Sequence, residues 1–124
     1  MEKPKFNFED LKVYQKALDF IDDVYDATET FPNMENYRLT SQFIRAANSI
    51  ALNISEGSES SDAMFNKYLQ TAIDSVRECV TCSTIAFRRK YINEEINYNF
   101  RVQLAELSKM ISSLQKYKKN KKND

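Results

Sequence analysis

The sequence of 124 residues contains no histidine and a single glycine, Gly57. Without histidine, the chain has neither the Ser-His and Cys-His pairs of nucleophilic hydrolases nor the Glu-x-x-His ligand sets of di-iron bundles. One glycine also excludes the Walker loop and the Gly-x-Gly-x-x-Gly dinucleotide motif, since each requires at least two. These shortages predict a protein that is not an enzyme and that holds neither a metal nor a cofactor.

Helix-breaking residues and long apolar runs are equally scarce. Two prolines and one glycine favour long helices joined by short connections. The sequence has no apolar run of about 18 residues, and no apolar segment follows Met1 to Lys5, so neither membrane spanning nor secretion is predicted. We therefore expect no membrane partner and a cytoplasmic location.

The two cysteines, Cys79 and Cys82, have the C-x-x-C spacing but fall in the middle of a predicted helix. Two thiolates do not complete a tetrahedral metal site. A redox motif of this kind is expected at an exposed helix N-terminus, which these positions do not offer. The spacing is thus interpreted as two reduced thiols in or beside the core.

Charge is balanced overall, at 18 basic and 18 acidic residues, but it is unevenly distributed. Residues 1–87 carry eight basic and fourteen acidic side chains, whereas residues 88–124 carry ten basic and four acidic. This asymmetry predicts a basic surface that meets nucleic acid or an acidic partner. The same cations also suit helix C-termini, so stabilisation of helix ends is an alternative role for them. The candidate nucleic-acid residues are Lys3, Lys5, Lys116, Lys118, Lys119, Lys121 and Lys122.

Apolar residues recur at steps of three and four along most of the chain, which predicts four amphipathic helices. The first is expected from about Glu9 to Thr28, and the second is expected to stop at Gly57. Asn93 is a plausible N-cap for the fourth. Short links predict an antiparallel up-down-up-down four-helix bundle, an all-α fold, in a single domain of residues 1–118 followed by a basic, disordered tail at 119–124.

The second helix presents two parallel lines of residues. Its apolar line faces the core. Its polar line carries amide, guanidinium, hydroxyl and carboxylate groups, which are suited to specific hydrogen bonds. The apolar line comprises Leu39, Phe43, Ala46, Ile50 and Ile54, with Thr40 as a candidate N-cap. The polar line, here called the polar stripe, comprises Gln42, Arg45, Ser49, Asn53 and Glu56. It predicts either a subunit interface or a set of polar residues that close a seam of the bundle.

The same segment resembles the bacterial four-helix bundle proteins encoded by 23S rRNA intervening sequences. The resemblance rests on Glu35, Tyr37, Leu39, Gln42, Arg45-Ala46, Ser49-Ile50, Asn53-Ile54 and Glu56-Gly57, with Phe8 to Ala17, Phe31-Pro32 and Glu78 in support. It implies a homopentamer without established enzymatic activity. The chain is also distantly similar to the accessory variability protein of diversity-generating retroelements, which implies nucleic acid or a reverse transcriptase as partner.

Three hypotheses of function follow. The first is a homo-oligomeric bundle, a pentamer by the family resemblance, that binds or scaffolds structured RNA or a nucleic-acid enzyme, with the polar stripe between subunits. The second is a protein-interaction adaptor, for example for a reverse transcriptase, without direct RNA binding. The third and weakest is a metal-dependent nuclease that uses Asp74, Glu78 or Glu56.

Overall fold

A computed structural model describes the backbone of residues 1–123 and the side chains of residues 1–118. These residues form four long helices and no strand. The helices are α1 (Lys12–Thr28), α2 (Leu39–Ser58), α3 (Asp62–Arg88) and α4 (Glu94–Asn123), with single 3-10 turns at Asn7–Asp10 and Asn33–Glu35. Each is too short or too polar, within this described part, to cross a lipid bilayer. The predicted all-α four-helix fold is confirmed.

Side-chain bonds show that α2 and α3 run antiparallel, as do α3 and α4. Between α2 and α3 the two residue numbers of a pair add to nearly the same value, as in Gln42 with Glu78 and Ser49 with Ser75. Between α3 and α4 the pairs Ser83–Asn97 and Asn66–Gln115 behave alike. The helices pack in chain order, and α4 closes the ring against α1.

The core centres on an aromatic cluster that joins three helices. The Phe100 ring meets the rings of Phe20 and Phe43 edge to face, with centroids 5.6 Å apart in each case. Such geometry adds about 0.5 to 1.5 kcal/mol per pair to the effect of apolar burial. The predicted apolar line of α2 is buried in full, as expected for a helix whose apolar and polar faces separate cleanly.

The apolar face that the sequence predicts for the first helix is only partly correct; it comprises Leu11, Tyr14, Leu18, Ile21, Tyr25 and Thr28, widened by Ala17 and Val24. Ala17, Val24 and Thr28 are buried, but Leu18 and Tyr25 are 40% and 44% exposed. The buried residues of α1 are Val13, Ala17, Phe20, Val24 and Thr28. Two apolar lines overlap on this helix, and the one that carries Phe20 is selected because that ring fits against Phe100.

Of the two N-caps predicted from the sequence, one is confirmed and one is wrong. Asn93 caps α4 as predicted, because its side-chain oxygen accepts the Ile96 amide at 2.8 Å. The predicted cap at Thr40 is wrong, since α2 already begins at Leu39 and the Thr40 hydroxyl finds no partner among the described residues.

Gly57 does not stop α2, which continues to Ser58, and its φ is not positive. The role of this glycine is a close helix contact. A Cβ built at Gly57 would lie 2.6 Å from the Tyr68 Cβ and 2.8 Å from the Phe65 ring. Both neighbours belong to α3, so the missing side chain lets the two helices approach near their shared corner.

Replacing Gly57 by Ala should therefore destabilise the bundle. Helix propensity alone would give a gain of about 1 kcal/mol, but the clash with backbone-anchored Tyr68 should produce a net loss of about 1 to 3 kcal/mol. Urea unfolding followed by circular dichroism measures the change. Ser55→Ala, in the same turn, is the matched control and should stay within about 0.5 kcal/mol of the parent; a stabilised Gly57→Ala protein would contradict the close-contact explanation.

Candidate functional site

The structure divides the polar stripe between two surroundings. Two of its members face α3, where the Gln42 amide donates to the Glu78 carboxylate at 3.3 Å and the Ser49 and Ser75 hydroxyls lie 2.8 Å apart. Ser75 is itself buried. These contacts join α2 to α3.

The other three members do not contact α3 by hydrogen bonds. Asn53 donates to the carbonyl and hydroxyl oxygens of Ser49 one turn earlier, at 2.7 and 3.0 Å. Among the described residues, Asn53 therefore bonds within α2 and not across the corner to α3. Arg45 and Glu56 are exposed, and neither has an oppositely charged atom within 4.0 Å in the described part of the chain.

Arg45, Ser49, Asn53 and Glu56 share an open groove of about 710 Å³, here called the α2 groove. Apolar and amide side chains of α1 and α2 complete its walls, and the Asn48 amide donates to the Tyr25 hydroxyl at 3.2 Å across it. The residues that the sequence analysis missed here are Tyr25, Asn36, Thr40, Ser41, Ile44, Asn48 and Leu52. The steps of four from Ile44 through Asn48 to Leu52 would have revealed a third line beside the polar stripe.

Leu52 is the most apolar element of the α2 groove and is 56% exposed. An exposed leucine alone is ordinary on a protein surface. Here it lies in one concave surface with two charges that have no partner in the described chain. This combination of an apolar centre with polar ends is typical of protein interfaces.

The predicted nucleic-acid lysines are only partly available. The Lys5 ammonium lies 2.6 Å from the Asp10 carboxylate, whose hydrogen bond raises the pKa of the lysine. Lys118 lies 3.4 Å from Asp62 and sits over the Phe65 ring. Lys3 and Lys116 are exposed. The side chains of Lys119, Lys121 and Lys122 lie outside the described residues.

The carboxylates considered for a nuclease, Asp74 and Glu78, accept hydrogen bonds from different partners. Asp74 accepts from Gln70 and Arg77, whereas Glu78 accepts from Gln42. Within the described residues, no group of three or more His, Cys, Asp or Glu side chains comes close enough together to hold a metal ion. The geometry thus adds no support to the nuclease hypothesis.

Cys79 and Cys82 are both free and buried, in agreement with the interpretation as core thiols. Burial raises the pKa of both thiols, to about 11 for Cys82 and further for Cys79, and the neighbouring Glu78 carboxylate acts in the same direction. Both are therefore protonated near neutral pH, which makes them poor nucleophiles and poor metal ligands.

Comparisons with known proteins agree with this architecture. A family model described as 23S rRNA-intervening sequence protein matches residues 9–113. Comparison with curated proteins gives no match. The fold is similar to the crystal structure of a protein of unknown function from the S23 ribosomal protein family of Bacteroides thetaiotaomicron, with a TM-score of 0.77 and 24% identity. The match covers 84% of this chain and 95% of that one.

The raised thiol pKa values predict a loss of stability at alkaline pH. Above the ordinary value of 9.0, thiols of the unfolded chain ionise while the buried ones stay protonated, so the unfolded state gains up to about 1.4 kcal/mol per pH unit for each thiol. The free energy of unfolding is therefore unaffected by the thiols below pH 9, and it falls as the pH rises from 9 toward 11.

Urea unfolding of the parent and of Cys79→Ala/Cys82→Ala, at about pH 8 and about pH 10, isolates the effect because tyrosine and lysine ionisation is common to both proteins. The parent should lose more free energy of unfolding over this interval than the double variant. Equal losses would show that the thiols are not desolvated.

Proposed function

The chain belongs to the 23S rRNA-intervening sequence protein family, and we propose that it works as a non-enzymatic, homo-oligomeric cytoplasmic bundle that binds or scaffolds RNA or a nucleic-acid enzyme. The self-assembly part depends on the α2 groove. The RNA part depends on the family's association with 23S rRNA insertions and on the basic C-terminal third of the sequence. The expected subunit number of five comes from the family resemblance.

One observation carries the assembly proposal: Arg45 and Glu56 flank an exposed Leu52 without an ionic partner in the described chain. Arg45 and Glu56 are eleven positions apart in the sequence, which corresponds to about 16 Å along the helix, so the two charges cannot pair with each other. A neighbouring subunit that covers Leu52 would remove apolar surface from water and offer opposite charges at both ends. The polar stripe thus has two roles, with Gln42 and Ser49 acting inside the subunit and Arg45, Asn53 and Glu56 acting between subunits.

A protein-interaction adaptor is the second candidate. It is favoured by the pairing of Lys5 with Asp10 and of Lys118 with Asp62, because a paired lysine contributes less to phosphate binding. In this alternative the α2 groove receives a different protein, and RNA is not bound directly.

Substitutions in the α2 groove should weaken self-association. Glu56→Ala removes one charge at the groove edge, and Leu52→Asp places a carboxylate at its apolar centre. Each should weaken association by at least about tenfold, because an interface charge that loses its partner is costly to bury. Light scattering over a dilution series would record a shift of mass toward monomer.

Glu59→Ala is the matched control, since Glu59 is an exposed carboxylate three residues further on that does not line the groove. It should leave the mass unchanged. An unaltered assembly in both Glu56→Ala and Leu52→Asp would remove the α2 groove from the interface.

Binding of structured RNA across a salt series tests the second part of the proposal. If phosphate contacts dominate, the logarithm of the association constant should fall linearly with the logarithm of salt concentration between about 50 and 200 mM. Fluorescence anisotropy with the full chain measures this slope. The adaptor alternative predicts no binding even at the lowest salt.

A further inference from the structure

The end of α3 and the turn that follows it carry three consecutive cations, Arg88, Arg89 and Lys90, all of them exposed. We call these three residues the basic corner. Lys90 has a φ of 66°, in the left-handed region. A residue with a Cβ costs about 1 to 2 kcal/mol there, a cost that glycine avoids. The chain thus keeps a third cation at the position of the corner where glycine would be more stable.

These cations are not needed to complete the end of α3. The amides of Arg89, Lys90 and Tyr91 already bond the carbonyls of Ile85, Phe87 and Ala86, each at 2.9 Å. The last two of these hydrogen bonds form the pattern of a Schellman turn, in which backbone amides satisfy carbonyls at the end of a helix. The Ile85, Ala86 and Phe87 carbonyls are therefore satisfied by the backbone, without the side chains of the three cations.

The cations also lack acidic partners within the described side chains. No Asp or Glu oxygen lies within 4.0 Å of Arg88, Arg89 or Lys90. Glu94 and Glu95 begin the next helix, where they suit its positive N-terminal end. This differs from Lys5 and Lys118, which are paired at the opposite end of the bundle.

Arg88 lies between two grooves and lines both. One, of about 360 Å³, is completed by Ile85 and Arg89. The other, of about 570 Å³, is lined by Lys90 and by two aromatic residues, Phe87 and Tyr91, together with Ile92 and Asn93. No carboxylate of the described side chains lines either groove, so both are cationic with an apolar wall.

The second groove is held in a fixed shape. The Tyr91 ring packs on the Phe31 ring with centroids 5.3 Å apart, Ile92 is buried, and Asn93 caps α4. Phe87 remains 38% exposed beside it. A ligand that binds here meets preformed walls and does not have to order the turn.

We propose that the basic corner binds the phosphodiester backbone of single-stranded nucleic acid. Guanidinium groups form paired hydrogen bonds with phosphate oxygens, and an adjacent exposed aromatic ring supplies a surface on which a base stacks. The proposal rests on the nucleic-acid function proposed above and relocates its main contact from the lysines near the chain termini to the opposite end of the bundle.

The test compares the full-length parent with Arg88→Gln/Arg89→Gln/Lys90→Gln, using a labelled single-stranded RNA oligonucleotide and a salt series. Each phosphate contact to a single strand contributes about 0.7 to the slope of log affinity against log salt, so removing three should lower the slope by about 2. Arg88→Lys/Arg89→Lys keeps the charge but loses the paired hydrogen bonds. It should retain the slope and bind more weakly.

Lys3→Gln/Lys109→Gln/Lys116→Gln removes the same charge from three exposed lysines elsewhere and should keep the parent slope. Thermal melting checks that each variant folds. Loss of slope in this control, with binding intact in the corner variant, would overturn the proposed location while leaving the RNA function standing. A parent that shows no salt-dependent binding would overturn the RNA function itself.

Polyglutamate serves as a competitor at equal charge concentration. Weak competition is expected, because a polypeptide carboxylate offers no bases to stack on Phe87. Displacement of the RNA as effectively as by unlabelled RNA would overturn the assignment to nucleic acid in favour of an acidic protein partner.

Discussion

The close contact between α2 and α3 sets the orientation of every other surface on the second helix. Gly57 allows the α3 residues Phe65 and Tyr68 to approach its backbone, and the hydroxyl pair of Ser49 and Ser75 fixes the same interface nearer the middle. Successive residues on a helix are about 100° apart, so a helix held at these two heights cannot rotate. That constraint turns Gln42 toward α3 and leaves Arg45 and Glu56 on the α2 groove.

How well the sequence predicted each helix depended on how cleanly its faces separate. In α2 the apolar and polar lines do not compete, and the five predicted core residues are all buried. In α1 two apolar lines overlap, and the choice between them depends on whether Phe20 or Tyr25 can pack against α4. Periodicity within one helix contains no information about the partner ring at Phe100, so the sequence alone could not make that choice.

The candidate site shows the same limit. Spacing brought Arg45, Asn53 and Glu56 together correctly, since they share one helix face. It could not identify Tyr25, which reaches the groove from α1, because nothing in a one-dimensional pattern reports which helices become neighbours. The pairing of Lys118 with Asp62 likewise depends on tertiary structure, because it forms only where α4 lies antiparallel along α3.

The basic residues of the C-terminal third are grouped in the sequence but are far apart in the structure. The basic C-terminal third includes both the turn before α4 and the length of that helix, in which the 22 residue steps from Glu94 to Lys116 span about 33 Å. The basic corner and Lys116 therefore lie near opposite ends of the bundle, about four Debye lengths apart at physiological salt, where that length is about 8 Å. They cannot act as one electrostatic surface within a subunit. In a side-by-side oligomer each would repeat as a separate ring, and the corner ring would carry three cations per subunit that have no carboxylate within 4.0 Å among the described side chains.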